Sequence, residues 1–569
     1  MSQRRRRWPA RLALVTTMAV GGCYRGSPDA EAFDPGADDD GRDPDGEPTP
    51  PSQPLCSGND AHAVPGPRLL RRLTAAEYET SVRHALQLGE EAWTGPTLPP
   101  DPAASTGYPN DADRLRVGEA QAVAFEDNAV AIATLVSGPA HLGALLPCAT
   151  EGTDACAAEF LDGPGRRLFR RSLSDDERAR YLALLDEVVD EGGQFEDWVR
   201  WTVQTQLQSP HFLYRSELGD PTEPGDGWFE LTGPEIATLL AFTLTGAPAD
   251  DALMDEAEAG GLDTPDAILA AATALAFDDD GAPRPALRQR LQLFHRQWLG
   301  LSTLANLQKD PDLYPGFDDA VKASMVAEIE AFVDDVVFEQ RGDVADLLTT
   351  NRSQFDATLA DYYGHGDDTG PTIKPDGWGV GLLSLGGVLA THATYLATSP
   401  TQRGKLVRGR LLCLELPPPP PDVGDLPPVD AAQTTRQRYE EHVSNPSCAG
   451  CHIQVDPIGF GLEGIDAAGR YRSTDNGYPL DLTGLVYDLD GEQVDFEGAT
   501  QLAEVLADAE KPALCMTAHM ATFALGLPPE QTECIVDGPA ESLAAGDTGI
   551  VDAYVAFSTT PHFRRRQNR

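Results

Sequence analysis

Cys448-Ala449-Gly450-Cys451-His452 places two thiols three positions apart, with an imidazole directly after the second. In this Cys-x-x-Cys-His pattern each thiol can add to one vinyl group of a haem, and the histidine can offer a neutral ring nitrogen to the iron. The expectation is one covalent haem c, with thioethers on Cys448 and Cys451 and the proximal iron bond on His452. Three other uses compete for these residues. A thioredoxin-like pair needs a preceding strand, whereas a proline run and a polar helix come before this motif. A Cys448–Cys451 disulfide closes a ring too short to gain much chain entropy. Zinc would take all three side chains but needs a further ligand, for which the fold would have to bring in Cys413 or Cys515.

Other side chains would complete a haem site. The carbonyl of Pro457 is the expected acceptor for the proximal imidazole N–H, a plain turn-forming proline being the alternative. Met516 and Met520 stand one helical turn apart, with His519 between them on another face, and are candidates for the sixth iron ligand. Core packing competes for both methionines. His392 and His442 are further candidates. An open sixth position would instead point to ligand binding or peroxide chemistry. Arg403 and Arg408 are candidates for pairing with haem propionates, against surface ion pairing in an acidic protein.

The elements that must hold these residues read as mainly α. Thr74-Ala-Ala-Glu77, Ser174-Asp-Asp-Glu177 and Thr232-Gly-Pro-Glu235 are capping boxes, each leading into apolar residues at helical spacing. The stretches Val321–Phe338 and Leu287–Leu299 are amphipathic in the same way. The clearest strand signal is Gly484–Phe496, where an apolar run meets Asp490-Gly491, a hairpin turn pair. Breaks rich in glycine and proline fall near 217–226, 364–378 and 416–428, the last containing a stiff run of five prolines, Pro417–Pro421.

At the N-terminus, Arg4 to Arg7 and Arg11 precede a short apolar run, Leu12–Val20, and then Gly21-Gly22-Cys23. This reads as an export signal whose last residues look like a lipobox, with Cys23 lipidated and tied to a membrane. Tyr24 in the next position is similar to lipoproteins sorted to the outer membrane. The apolar run is shorter than the roughly 20 residues a spanning helix needs. The following stretch to residue 65 is Asp, Gly, Pro and Ser and reads as a disordered acidic tether. Within it Asp38-Asp39-Asp40-Gly41 is more a solvated linker than a calcium site. The expected organisation is a signal peptide at 1–22, the tether at 23–65, helical regions at 66–218 and 226–366, a cytochrome-c-like segment at 378–475, and a hairpin-plus-helix region at 476–569.

The chain carries 90 acidic against 43 basic residues, a formal charge of −47. That argues against nucleic acid and anionic surfaces as partners and favours a cationic redox partner. Of the nine cysteines, six remain after the lipid and haem positions: Cys56, Cys148, Cys156, Cys413, Cys515 and Cys534. An oxidising compartment would pair them, with Cys148–Cys156 and Cys515–Cys534 the first expectations by proximity.

Several stretches together resemble one family. They are Arg71–Tyr78, Phe169–Ser174 with Glu177, Ser209–Arg215, Ser399–Gly404, the proline run, and Asn445–His452 followed by Asp456–Phe460, Leu462-Glu463 and Asp466–Arg470. Their order is similar to the planctomycete-type cytochrome-c-like secreted proteins, built from serial domains of unknown function (DUF1587, DUF1595, DUF1592, DUF1588 and DUF1585). The resemblance runs from about residue 66 onward and implies an exported, mainly helical protein with one c-type haem, without implying a settled reaction. Electron transfer is the leading functional expectation. A haem-dependent or polymer-degrading enzyme is the alternative, since around 350 residues precede the haem segment, far more than a simple carrier needs. A zinc-holding scaffold is the third. No Gly-x-Ser-x-Gly, His-Glu-x-x-His or P-loop pattern occurs in the sequence.

Overall fold

The computed structural model describes residues 66–102, 107–112, 114–220, 227–366, 369–375, 377–416, 432–443, 446–527 and 537–567. Cys23 and the export signal, the tether with its aspartate cluster, Cys56, the Pro417–Pro421 run, Asn445 and Cys534 lie outside the described residues, as does the side chain of His442. All described residues belong to one compact unit, Leu55–Arg569.

The fold is mainly α, and its helix starts are written locally. Thr74 Oγ1 accepts from the Glu77 N–H at 3.2 Å while Glu77 Oε2 accepts from the Thr74 N–H at 3.0 Å. Ser174 and Glu177 do the same at 3.3 and 2.9 Å, and the Thr232 N–H donates to Glu235 at 3.0 Å. Each pair satisfies donors that a helix start leaves open. The apolar faces gather into two clusters. One draws on residues from Leu73 to Leu213 together with Phe242, and the larger on Tyr108 and residues from Leu231 to Phe563. Among the described residues no single helix is long and apolar enough to cross a membrane.

The expected hairpin forms, Thr483–Leu489 against Glu492–Glu497. Four further two-stranded ladders among the described residues have no alternating apolar signal: Leu69–Arg72 with Tyr214–Glu217, Trp228–Glu230 with Arg565–Gln567, Arg352–Phe355 with Gly370–Ile373, and the short Thr474–Asp475 with Tyr478–Pro479. The first two are held by buried ions. Glu217, 2% exposed, pairs with both Arg71 and Arg566, while Arg215 approaches Glu77 at 3.4 Å.

Cys148 pairs with Cys156, as expected. Cys515 pairs with Cys413, not with Cys534. Proximity in sequence misleads here because the helix Lys511–Leu525 packs against the wide turn Leu406–Leu411, which delivers Cys413 to it.

Candidate functional site

The Cys-x-x-Cys-His residues lie near the start of the helix Pro446–Phe460, whose Pro446 suits a first turn. Three elements pack on this helix: Pro400–Lys405, Thr435–Val443 and the hairpin strand Thr483–Leu489. Two glycines set the closest approach. A Cβ at Gly404 would stand 1.9 Å from the Val455 carbonyl oxygen, and one at Gly459 would stand 2.0 Å from that of Pro400. Only glycine allows the two backbones to meet at these points. The contact brings Thr401 alongside His452 and Asp456.

His452 and Asp456 share a helix face at i and i+4. Nδ1 of His452 donates to Asp456 Oδ2 at 2.8 Å, and Thr401 Oγ1 donates to the other carboxylate oxygen at 2.7 Å. With its proton on Nδ1, the ring carries its lone pair on Nε2, the nitrogen suited to a metal. The acceptor for the imidazole is therefore the Asp456 carboxylate and not the Pro457 carbonyl. That carbonyl is turned to the hairpin, where it would stand 2.6 Å from a Cβ at Gly484. Asp456 is buried, whereas the His452 side chain is 21% exposed. Cys448 is buried and Cys451 exposed, and both are unpaired thiols although Cys148, Cys156, Cys413 and Cys515 are all in disulfides.

The structure does not bring Met516, Met520, His519 or His392 to this helix. Met516 and Met520 are fully buried in the larger core, on a helix that packs on Leu406–Leu411 and on Pro285–Trp298. His519 is buried beside Tyr108, and burial pushes its imidazole down to about 3, with Arg410 adding to the effect. Nε2 of His392 bonds the Leu299 carbonyl at 2.9 Å, away from the motif. Cys413 and Cys515 are unavailable as zinc ligands, since each is the other's disulfide partner. Among the described residues, the one group of three or more metal-ligand side chains within reach of one another is Cys413, Cys515 and His519.

Arg403 is neither a surface residue nor placed to meet a propionate. It is fully buried and donates to the carbonyls of Leu462, Ile465 and Asp466 at 2.7, 2.8 and 3.0 Å. It also reaches Glu463 Oε1 at 3.3 Å, while Arg472 and Thr398 hold the other oxygen at 2.6 and 2.5 Å. This network ties the chain after the motif helix to the helix Pro400–Lys405 and the residues just before it. Arg408 is likewise buried and donates to the Tyr487 carbonyl of the hairpin at 3.3 Å. Burial holds both guanidinium groups below their ordinary range.

The Thr401–Asp456–His452 chain was missed in the sequence, although the i, i+4 spacing of His452 and Asp456 was there to be read. Thr401 had no such signal, because only the glycine crossing brings it near.

Comparison with known families bears directly on this arrangement. Residues 71–138 match a protein family of unknown function (PSD3, DUF1587), residues 156–217 a second (PSD5, DUF1595), residues 231–365 a third (PSD4, DUF1592) and residues 380–475 a fourth (PSCyt3, DUF1588). The four occur in the order of the planctomycete cytochrome-c-like series. The chain belongs to this serial-domain family. In the family's terms, the motif helix and the Arg403–Glu463 network both fall within the PSCyt3 region. No curated protein and no solved structure matches the chain.

Proposed function

We propose that this chain is an exported c-type cytochrome-like protein that carries one covalent haem and transfers electrons. The observation that supports the reading best is the pair of unpaired thiols, Cys448 and Cys451, beside a His452 imidazole held through Nδ1 by a buried carboxylate. The donor set fits the group: two thiols for the thioethers and one oriented imidazole for the iron. When bound, the haem supplies a one-electron couple. The chain's own part is to hold the imidazole. Asp456 fixes its tautomer and ring orientation, and Thr401 fixes Asp456. Cys23 would provide the lipid anchor, keeping the protein in the periplasm or at the outer membrane, and the acidic charge would suit a cationic redox partner.

One observation favours a second reading. A carboxylate partner makes the proximal imidazole more electron-donating than a carbonyl partner does, which stabilises oxidised iron and suits peroxide chemistry. Expression with a c-type maturation system tests the main reading. Haem should stay with the chain after denaturation and be lost in Cys448→Ala/Cys451→Ala. Stoichiometric zinc in place of haem would contradict it.

A further inference from the structure

Most of the buried arginines in this fold are spent on named partners. Arg71 and Arg566 pair with Glu217, Arg72 with Asp101, and Arg215 approaches Glu77. Arg170 donates to the carbonyls of His211, Phe212 and Tyr214, and Arg403 and Arg408 are likewise used on carbonyls. Arg438 is the exception. It is 7% exposed, yet among the described residues its guanidinium makes no hydrogen bond and no ion pair, and its Nε is shut off from solvent without a partner. Its near contact is the face of the adjoining Tyr439 ring, 5.4 Å from the centroid. Burying a cation without a partner is costly, so an orphan of this kind calls for an explanation.

Arg438 lies on the helix Thr435–Val443, which packs on the motif helix. Its neighbours fix that helix in place. The Thr435 N–H donates to Asp475 Oδ2 at 2.6 Å, and Arg436 donates to the Asp481 carbonyl at 3.1 Å while lying 4.2 Å above the Phe460 ring. Tyr439 meets Phe460 edge to face and donates to Ser399 Oγ at 3.3 Å. Ser399 in turn caps the helix that carries Thr401. The Tyr439 phenol stands within the field of both the Arg438 and the Asp456 charges. The unspent cation therefore shares a corner of the fold with the carboxylate that holds His452. Asp456 does not pair with it, because its two oxygens are taken by His452 and Thr401.

A c-type haem carries two propionate carboxylates, and a guanidinium offers the planar pair of donors that a carboxylate matches. Arg403 and Arg408 cannot serve, since both are committed to backbone carbonyls. We propose that Arg438 receives a haem propionate and so positions the haem against the motif helix. This inference rests on the haem reading above. The cost of burying Arg438 alone falls on the haem-free chain and is relieved when the carboxylate arrives.

Urea unfolding of the full chain with and without haem tests this, the haem-free form being Cys448→Ala/Cys451→Ala. In that form Arg438→Gln removes an unpaired buried charge and should raise the unfolding midpoint. In the holoprotein the same change strips a propionate of its partner and should lower the midpoint. Arg403→Gln, which breaks a partnered guanidinium, should lower it in both forms. The haem potential gives a second readout. Loss of a positive charge beside the haem should favour oxidised iron about threefold, a fall of roughly 30 mV for one electron. Arg438→Lys keeps the charge and should stay close to the parent potential. An Arg438→Gln effect of the same sign in both forms, or an unchanged potential in the folded holoprotein, would overturn the proposal while leaving the haem reading intact. A parent chain that takes up no covalent haem would overturn both.

Discussion

Asp456 lies one helical turn beyond His452 and accepts its Nδ1 proton at 2.8 Å. The carboxylate is buried and braced by Thr401, so it cannot swing to solvent without breaking a second hydrogen bond. A basic, oriented imidazole favours oxidised over reduced iron.

Asp456→Asn should therefore raise the haem midpoint potential. A tenfold change in the preference for oxidised iron corresponds to about 59 mV for one electron, and a shift of at least that size is expected in a redox titration of the holoprotein. An unchanged potential would show that Asp456 only supports the helix.

Gly404→Ala tests the crossing that builds this site. The new methyl would stand 1.9 Å from the Val455 carbonyl oxygen, backbone that cannot give way cheaply. A loss of about 1–3 kcal/mol is expected from overpacking, read by denaturant unfolding, together with reduced haem incorporation.

The Cys413–Cys515 disulfide spans a sequence separation of 102 residues. Closing a loop of that length removes roughly 4–5 kcal/mol of chain entropy from the unfolded state. Cys413→Ser/Cys515→Ser should lower the unfolding free energy by about that amount, and a change below about 1 kcal/mol would argue against this account of the pairing.

Glu217 links stability to acid. Burial opposes its charge, but Arg71, Arg566 and Arg215 outweigh burial and hold the carboxyl down to about 2 against an ordinary 4.5. A depressed carboxyl contributes stability above the unfolded value and loses it as pH falls through the folded one, so the loss should run from about 4.5 to 2. Its size is about 3 kcal/mol. Urea unfolding across that range should show a shallower pH slope in Glu217→Gln, with lower stability at neutral pH because two buried arginines lose their partner.

The helix starts and the hairpin could be read in the sequence because their signals are local: Thr74 with Glu77, Ser174 with Glu177, Asp490 with Gly491. The short ladders could not. Arg71, Arg215, Glu217 and Arg566 follow no periodic apolar pattern, and only their pairing across distant segments allows burial. Arg403 misled for the same reason, since a buried hub of carbonyls and Glu463 leaves no trace in spacing. The Cys448, Cys451 and His452 pattern stands in the sequence, whereas the partner of His452, for which the Pro457 carbonyl is the sequence candidate, is a carboxylate one turn away. Met516 and Met520 have ligand-like spacing, but the apolar face of their helix is used for the core.

Peptide mass spectrometry of the segment Pro446–Phe460, after maturation and denaturation, tests the central claim most directly. The account predicts one haem per chain, bonded through both Cys448 and Cys451. Recovery of this peptide with free thiols or a Cys448–Cys451 disulfide from a chain matured in a competent host would contradict it.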